Sequence, residues 1–199
     1  MPSVLLPVPH LPQEKPHSCL EACARMVLAY LGDSVPEEEL LSLFDGTEFG
    51  TPASRLTRLE RMGYDVEIGR GTLELLRSKL ELGLPSIVLV HTAFLDYWTE
   101  STRHAVVVVG LDDEYAYLND PAFESAPQTV SLDGFLPGLR WIRFPPRLVV
   151  SFSLLAQIPL QHAAEDNVPE VAPLESTQCT PQSVQHPQAH QPQGHNHQA

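Results

Sequence analysis

Cysteines, basic residues and long apolar runs are all scarce in this chain of 199 residues, and each scarcity excludes a class of protein. Three cysteines without a Cys-x-x-Cys pair do not build a disulfide framework or a thiolate zinc site. Lys and Arg number 12 against 25 Asp and Glu, so the net charge of −13 argues against nucleic acid and anionic membranes as partners. Because no apolar run reaches the roughly 18 residues of a membrane span and no basic segment opens the chain, we expect a cytoplasmic protein without a secretory signal.

The composition of the chain changes near residue 160. Apolar residues make up 43% of the sequence and recur periodically up to this point, which is typical of one folded domain over residues 1–160. Residues 161–199 are rich in Gln, Pro and His without apolar periodicity, and we expect a disordered tail there. The tail histidines are irregularly spaced, which favours weak chelation over a metal site, so we expect no metal and no cofactor. No pattern indicates an oligomeric state.

Hydrophobic periodicity predicts helices first and strands later. Helices are predicted at about residues 19–31, from residue 36, at 52–62 and at 73–82, with a short helical segment near 132–141. Strands are predicted at 64–68, 86–91, 104–110, 114–119, 128–132 and 147–153, and the charged pattern of the first is typical of an edge strand. Helices followed by a mostly antiparallel sheet indicate an α+β fold.

The first predicted helix begins with a cysteine. Cys19 follows Ser18, a residue type that favours the N-cap position, and the N–H groups and dipole of a helix N-terminus stabilise a thiolate. A single cysteine can equally be a small buried apolar residue, so position alone leaves both interpretations open. Cys23 lies one turn further along, within the apolar stripe, and is assigned to the core.

A histidine and a carboxylate far along the chain are predicted to meet. If the two strands after residue 103 form a hairpin about Asp112 and Asp113, His104 lies opposite residues close to Asp120. A general base with an orienting acceptor of this kind activates a thiol nucleophile. Asn119 remains an alternative acceptor, because a shift of one residue in register would exchange it with Asp120.

A glutamine precedes the cysteine by six residues. The side-chain amide of Gln13 can donate a hydrogen bond to the oxyanion of a tetrahedral intermediate, with the backbone N–H of Cys19 as a second donor. A glutamine in a proline-rich lead-in carries no signal by itself, so this role depends on the other residues.

Together these motifs resemble the C39-like cysteine peptidases, papain-like enzymes related to the peptidase domains that process bacteriocin leaders. The resemblance rests on Gln13 with Cys19, the helix at 22–32, the segment 103–110 that contains His104, and Asn119-Asp120-Pro121, and it covers roughly residues 8–155. It implies a papain-like α+β fold in which the nucleophile's helix packs on the sheet. It also implies a peptide or amide substrate, with Gln13 as oxyanion donor, Cys19 as nucleophile, His104 as general base and Asp120 as orienter.

Two positions depart from the family pattern. Many relatives carry Gly after the nucleophile and a small residue or Pro next, whereas this chain has Leu20 and Glu21. We expect Leu20 to line and narrow the cleft, and loops 45–51 and 92–103 to border it. A catalytically inactive peptide-binding module of the same fold is therefore an alternative function, and an acyl or amide transferase using the same triad is another.

Overall fold

The computed structural model describes residues 4–140 and 148–154, and for 140 and 148–154 it describes the backbone only. The predicted tail at 161–199 lies outside the described residues, so the predicted boundary near residue 160 stays a prediction. No helix within the described ranges is long and apolar enough to cross a membrane.

The helical segments lie where periodicity predicts them, although one is a 3-10 helix, and a short 3-10 segment occurs in addition. Within residues 4–140 and 148–154 the α-helices are α1 (Cys19–Tyr30), α2 (Glu37–Phe44), α3 (Leu73–Glu81) and α4 (Leu132–Arg140). The predicted third helix is instead a 3-10 helix, Ala53–Met62, and a second short one spans Thr92–Phe94. Thr72 caps α3 by accepting a hydrogen bond from the Leu75 N–H, whereas α1 ends before Gly32, whose φ of +102° favours glycine.

The strands form one antiparallel sheet. They are β1 (Val4–Leu5), β2 (Tyr64–Arg70), β3 (Ser86–His91), β4 (Arg103–Leu111), β5 (Tyr115–Asn119), β6 (Gln128–Ser131) and β7 (Leu148–Leu154). Their order is β2-β7-β3-β4-β5-β6, with β1 also paired to β4. The prediction of an edge strand at 64–68 is confirmed, since β2 ends the row.

Strand β4 and helix α1 form the centre of the core. From His104 to Leu111 every residue of β4 is buried, which matches its continuous valine run. Helix α1 packs against β4 and β3 with Cys23, Met26 and Val27 fully buried. Burying a side chain such as Met26 contributes about 2 kcal/mol, so this contact fixes the helix that begins with Cys19 against the strand that carries His104.

The proline-rich lead-in is part of the fold. Val4 and Leu5 pair with Leu111 and Gly110 of β4. No sequence pattern predicts this pairing. Further along, the Val8 carbonyl accepts a hydrogen bond of 3.0 Å from the Asn119 side chain. These contacts carry the chain along the sheet towards α1.

Candidate active site

His104 and Asp120 are hydrogen-bonded inside the protein. The Nε2 atom of His104 lies 2.7 Å from Oδ1 of Asp120, and both side chains are almost completely buried. Asp120 directly follows β5, and the β4–β5 hairpin with its turn at Asp112 brings it beside His104 near the beginning of β4. A bulge between Val108 and Gly110 sets the register that completes this placement.

Of the two acceptors considered from the sequence, the structure pairs Asp120 with His104. Asn119 instead donates from its side-chain amide to the Val8 carbonyl and so anchors the lead-in. Asp112 accepts hydrogen bonds from the N–H groups of Glu114 and Tyr115, which confirms its interpretation as a turn residue.

The Asp120 carboxylate receives four hydrogen bonds. Besides His104, Oδ1 accepts from the Ala122 N–H at 2.9 Å, while Oδ2 accepts from Trp98 Nε1 at 2.8 Å and from the Tyr97 hydroxyl at 3.1 Å. Burial by itself raises the pKa of Asp120, but attraction to His104 and these donors outweigh burial and lower it. The site therefore holds an ionised carboxylate against the imidazole.

Three aromatic side chains enclose this pair. The rings of Trp98 and His104 have centroids 5.0 Å apart, and Phe123 makes edge contacts with Trp98 at 5.3 Å and with Tyr97 at 5.2 Å. Burial first, and then the Asp120 charge, raise the pKa of Tyr97, so its hydroxyl remains a donor. No sequence pattern singles out these residues. Tyr97 and Trp98 lie in loop 92–103, which contacts Asp120, whereas neither this loop nor loop 45–51 is among the residues that line the cleft between residues 12–16 and 121–124.

Cys19 is the first residue of α1 and is 4% exposed. The preceding Ser18 occupies the N-cap position, and its carbonyl accepts from the Ala22 N–H at 3.0 Å. The prediction of Ser18 as the N-cap residue is confirmed, but its side chain makes no capping hydrogen bond, because the hydroxyl is bonded to Glu37 of α2 and to the Lys15 carbonyl. Cys23 is fully buried in the core, as predicted.

A buried ion pair holds the segment that precedes Cys19. Glu37, 1% exposed, accepts hydrogen bonds from the Glu14 N–H at 2.9 Å and from the Ser18 hydroxyl at 2.5 Å. Arg25 of α1 lies 3.6 Å from the other Glu37 oxygen, forms an ion pair with Glu14, and donates to the Pro12 carbonyl at 3.2 Å. Helices α1 and α2 thus hold residues 12–18 in place through Arg25 and Glu37. No sequence pattern indicates this role for the two residues.

Gln13 lies in this fixed segment, on the wall of a cleft. Its backbone N–H donates to the Pro121 carbonyl at 2.8 Å, which ties it to the turn after Asp120. Its side-chain Nε2 donates to the Lys15 carbonyl at 2.9 Å, which uses one of the two amide hydrogens. The cleft has a volume of about 220 Å³ and runs between residues 12–16 and residues 121–124.

Leu20 and Glu21 both point into the protein. Leu20 is 2% exposed and belongs to the hydrophobic core, so the expectation that it lines the cleft is wrong. Glu21 is fully buried beneath loop 45–51, where Oε1 accepts a hydrogen bond from the Thr51 hydroxyl. Burial raises the pKa of Glu21. The hydrogen bond from Thr51 lowers this pKa and the nearby Glu37 raises it, but burial is the largest effect.

The His104–Asp120 pair has the arrangement of an imidazole oriented by a carboxylate, and Cys19 stands at a helix N-terminus. Helix α1 packs on β4, the strand that carries His104. No cluster of three or more potential metal ligands occurs in the part of the chain that the structure describes.

Comparison with solved structures places this fold among peptidases. A protein described as a C39-like peptidase from Bacillus anthracis matches with a TM-score of 0.61 and 17% identity, covering 74% of this chain and 96% of that one. The peptidase domain of Streptococcus ComA, a bifunctional ABC transporter of a quorum-sensing pathway, matches with a TM-score of 0.57 and 18% identity over 72% and 98%. A double-glycine-motif protease from an AMS/PCAT transporter, solved with its leader peptide, matches with a TM-score of 0.58 and 22% identity over 76% and 96%.

These identities are low, so the structural matches show the fold: papain-like α+β, with helices against an antiparallel sheet. No curated protein sequence matches the chain. The family model described as "Peptidase C39 family" matches residues 8–137, which is well over half of the sequence. The chain therefore belongs to the Peptidase C39 family, whose members are cysteine peptidases.

Proposed function

We propose that this protein hydrolyses peptide bonds with Cys19 as nucleophile, His104 as general base, Asp120 as orienter and Gln13 as oxyanion donor. The observation that carries the proposal is the buried hydrogen bond between His104 and a fully satisfied Asp120 carboxylate, on the strand against which the Cys19 helix packs. Burying a charged carboxylate is energetically unfavourable, and a buried His–Asp pair of this kind commonly serves to activate a nucleophile.

The orientation of the imidazole supports one path for the proton. Because Nε2 of His104 faces Asp120, Nδ1 is the nitrogen that would take the proton from the Cys19 thiol. The thiolate then attacks the substrate carbonyl carbon and forms a tetrahedral adduct. When the C–N bond breaks, Nδ1–H returns the proton to the leaving amine and a thioester remains on Cys19. Water, deprotonated by the same nitrogen, attacks the thioester and releases the acid and the free thiol.

The negative charge of the tetrahedral adduct needs donors near Cys19. The N–H groups and dipole of a helix N-terminus stabilise negative charge, so the Cys19 N–H is one candidate. The second hydrogen on Nε2 of Gln13 is the other, since only one is used by the Lys15 carbonyl. Arg25 and Glu37 support this role by fixing the segment that carries Gln13.

A peptide is the substrate class that the family favours. The double-glycine-motif protease to which this fold is similar was solved with a leader peptide, and we infer that this chain also accepts an extended peptide segment. The experiment is digestion of a defined peptide library with the full chain, followed by mass spectrometry. Replacing Cys19 with Ala should abolish cleavage by at least about 10³-fold, while replacing the core residue Cys23 with Ala should retain it.

The same experiment separates the alternative functions. Peptides that bind to both wild type and Cys19→Ala without any cleavage would identify a binding module and contradict the proposal. Adducts formed with added amines in preference to hydrolysis would identify a transferase that uses the same residues.

A further inference from the structure

The irregular segment 8–13 lies along residues 119–121, at the end of β5. Three hydrogen bonds join the two segments: Asn119 Nδ2 donates to the Val8 carbonyl at 3.0 Å, His10 Nε2 lies 3.0 Å from the Asp120 carbonyl, and the Gln13 N–H donates to the Pro121 carbonyl at 2.8 Å. The residue numbers rise together in both segments, so the two run in the same direction. These three contacts form the lead-in clamp.

Two contacts of the lead-in clamp depend on side chains. A carbonyl oxygen only accepts hydrogen bonds, so Nε2 of His10 carries the hydrogen in its contact. The Asn119 amide is buried and donates in the same way. The third contact joins two backbone groups, and its N–H belongs to Gln13. His10 and Asn119 are therefore the side chains through which the sequence holds Gln13 against the end of β5.

Gln13 is also held from the opposite direction, by α1 and α2. Arg25 and Glu37 bind the residues on both sides of Gln13, through the Pro12 carbonyl and the Glu14 N–H. These contacts attach the segment to the helices, whereas the lead-in clamp attaches it to the sheet. A side chain that stabilises a transition state must be held within about 0.5 Å of its productive position. Because an irregular segment has no hydrogen-bonded ladder of its own, Gln13 depends on both attachments.

The lead-in clamp is separate from the contacts that hold the imidazole. It uses the backbone carbonyl of Asp120, whereas the carboxylate of the same residue faces His104 and is held by three further donors. Loss of a donor from the clamp therefore leaves the hydrogen bonds of this carboxylate in place. It loosens the segment that carries Gln13.

We propose that His10 and Asn119 are positioning residues, which hold Gln13 where its amide meets the oxyanion of the tetrahedral adduct. They act through the backbone of residues 8–13 and not on the substrate. This role rests on the proposed function, in which Gln13 is the oxyanion donor. It predicts that loss of either side chain slows attack on a carbonyl group and spares the reactivity of the thiol.

Two thiol probes applied to the full chain separate these effects. With iodoacetamide, the Cys19 sulfur displaces iodide from carbon and no oxyanion forms. With p-nitrophenyl acetate, the sulfur attacks the ester carbonyl and an oxyanion forms; the C–O bond then breaks, which releases p-nitrophenolate and leaves an acetyl thioester. Peptide mapping assigns both products to Cys19. We expect His10→Leu and Asn119→Leu to lower the rate of acetylation about five- to tenfold and to change the rate of alkylation less than about twofold.

Two comparisons make the role specific. His10→Gln keeps an N–H donor at the same number of bonds from Cα as Nε2, so acetylation should return to within about twofold of wild type. In a Gln13→Ala background, His10→Leu should lower acetylation by less than about twofold, because the donor that it positions is gone. Equal losses with both probes, no rescue by glutamine, or a full effect of His10→Leu without Gln13 would overturn the proposal.

The Gln13 N–H reports on the lead-in clamp without any reaction. In the isotope-labelled full chain, its hydrogen exchange measured by NMR should be about tenfold faster in His10→Leu than in wild type, and an unchanged rate would overturn the proposal. A wild-type Cys19 that reacts with neither probe would contradict the proposed function. Normal reaction of both wild type and His10→Leu with p-nitrophenyl acetate would overturn this inference alone.

Discussion

Replacing Asp120 with Asn changes one atom but disturbs the site in either orientation of the amide. With its oxygen towards His104 and Ala122, the Asn NH₂ group faces Trp98 Nε1–H, 2.8 Å from the native oxygen. After a flip, the NH₂ group faces the Ala122 N–H, 2.9 Å from the native oxygen. Neither donor can become an acceptor, so a donor stands against a donor in both cases.

The magnitude follows from these contacts. One buried donor loses its acceptor, which costs about 1–3 kcal/mol, and the charge-assisted hydrogen bond to His104 loses its charge, which is worth about 1.5–3 kcal/mol. We therefore expect Asp120→Asn to lower the free energy of unfolding by about 3–5 kcal/mol at pH 7, where the lowered pKa of Asp120 keeps the wild-type carboxylate ionised. This would be a large part of the stability of a typical domain.

Urea unfolding measures the change, with Asp113→Asn as the control. Asp113 is 97% exposed and its ion pair with Arg77 is at the surface, so its substitution should change the free energy of unfolding by less than about 1 kcal/mol. In a Trp98→Phe background the opposing N–H is gone. There Asp120→Asn should lower the free energy of unfolding by less than it does in wild type, and the difference should be at least about 1 kcal/mol. An equal cost in both backgrounds, or a cost no larger than that of Asp113→Asn, would refute the reasoning.

Three further predictions concern the surroundings of Cys19, each measured by urea unfolding. Glu37→Ala should lower the free energy of unfolding by about 3 kcal/mol, because it removes the buried carboxylate that faces Arg25 and leaves the Glu14 N–H without its acceptor; an effect below about 1 kcal/mol would contradict the ion pair. Gly46→Ala should cost about 1–3 kcal/mol, since its Cβ would lie 2.7 Å from a Leu41 methyl group, whereas Gly69→Ala has open space and should be nearly neutral. Burial raises the pKa of Glu21 in the folded protein above its ordinary value of 4.5, so the folded state binds a proton more readily than the unfolded state. The free energy of unfolding therefore falls as the pH rises from 4.5 through the folded-state pKa. The stability of Glu21→Gln relative to wild type should therefore rise from pH 4 to pH 7, and a pH-independent difference would exclude this assignment.

Most of the fold follows from local sequence patterns. The valine run of β4, the hairpin turn at Asp112 and the apolar stripe of α1 are short-range signals, and each places its element within about a residue of the observed bounds. Residues 53–62 are the exception, where a helical pattern forms a 3-10 helix.

The site residues are predictable only where they lie on helices and strands that local sequence patterns mark. The pairing of His104 with Asp120 follows from hairpin geometry, although the choice against Asn119 depends on a bulge that the sequence does not mark. Trp98 and Glu37 contact the site from a loop and from another helix. Their roles depend on tertiary contacts between distant segments, for which no local pattern exists.

The most direct test of the central claim is the pH dependence of Cys19 alkylation by iodoacetamide, followed by peptide mapping. If His104 and Asp120 activate this thiol, Cys19 should react selectively at mildly acidic pH, ahead of the other cysteines, and His104→Ala should abolish that reactivity. A Cys19 that reacts only at alkaline pH, or equally well without the imidazole, would contradict the account.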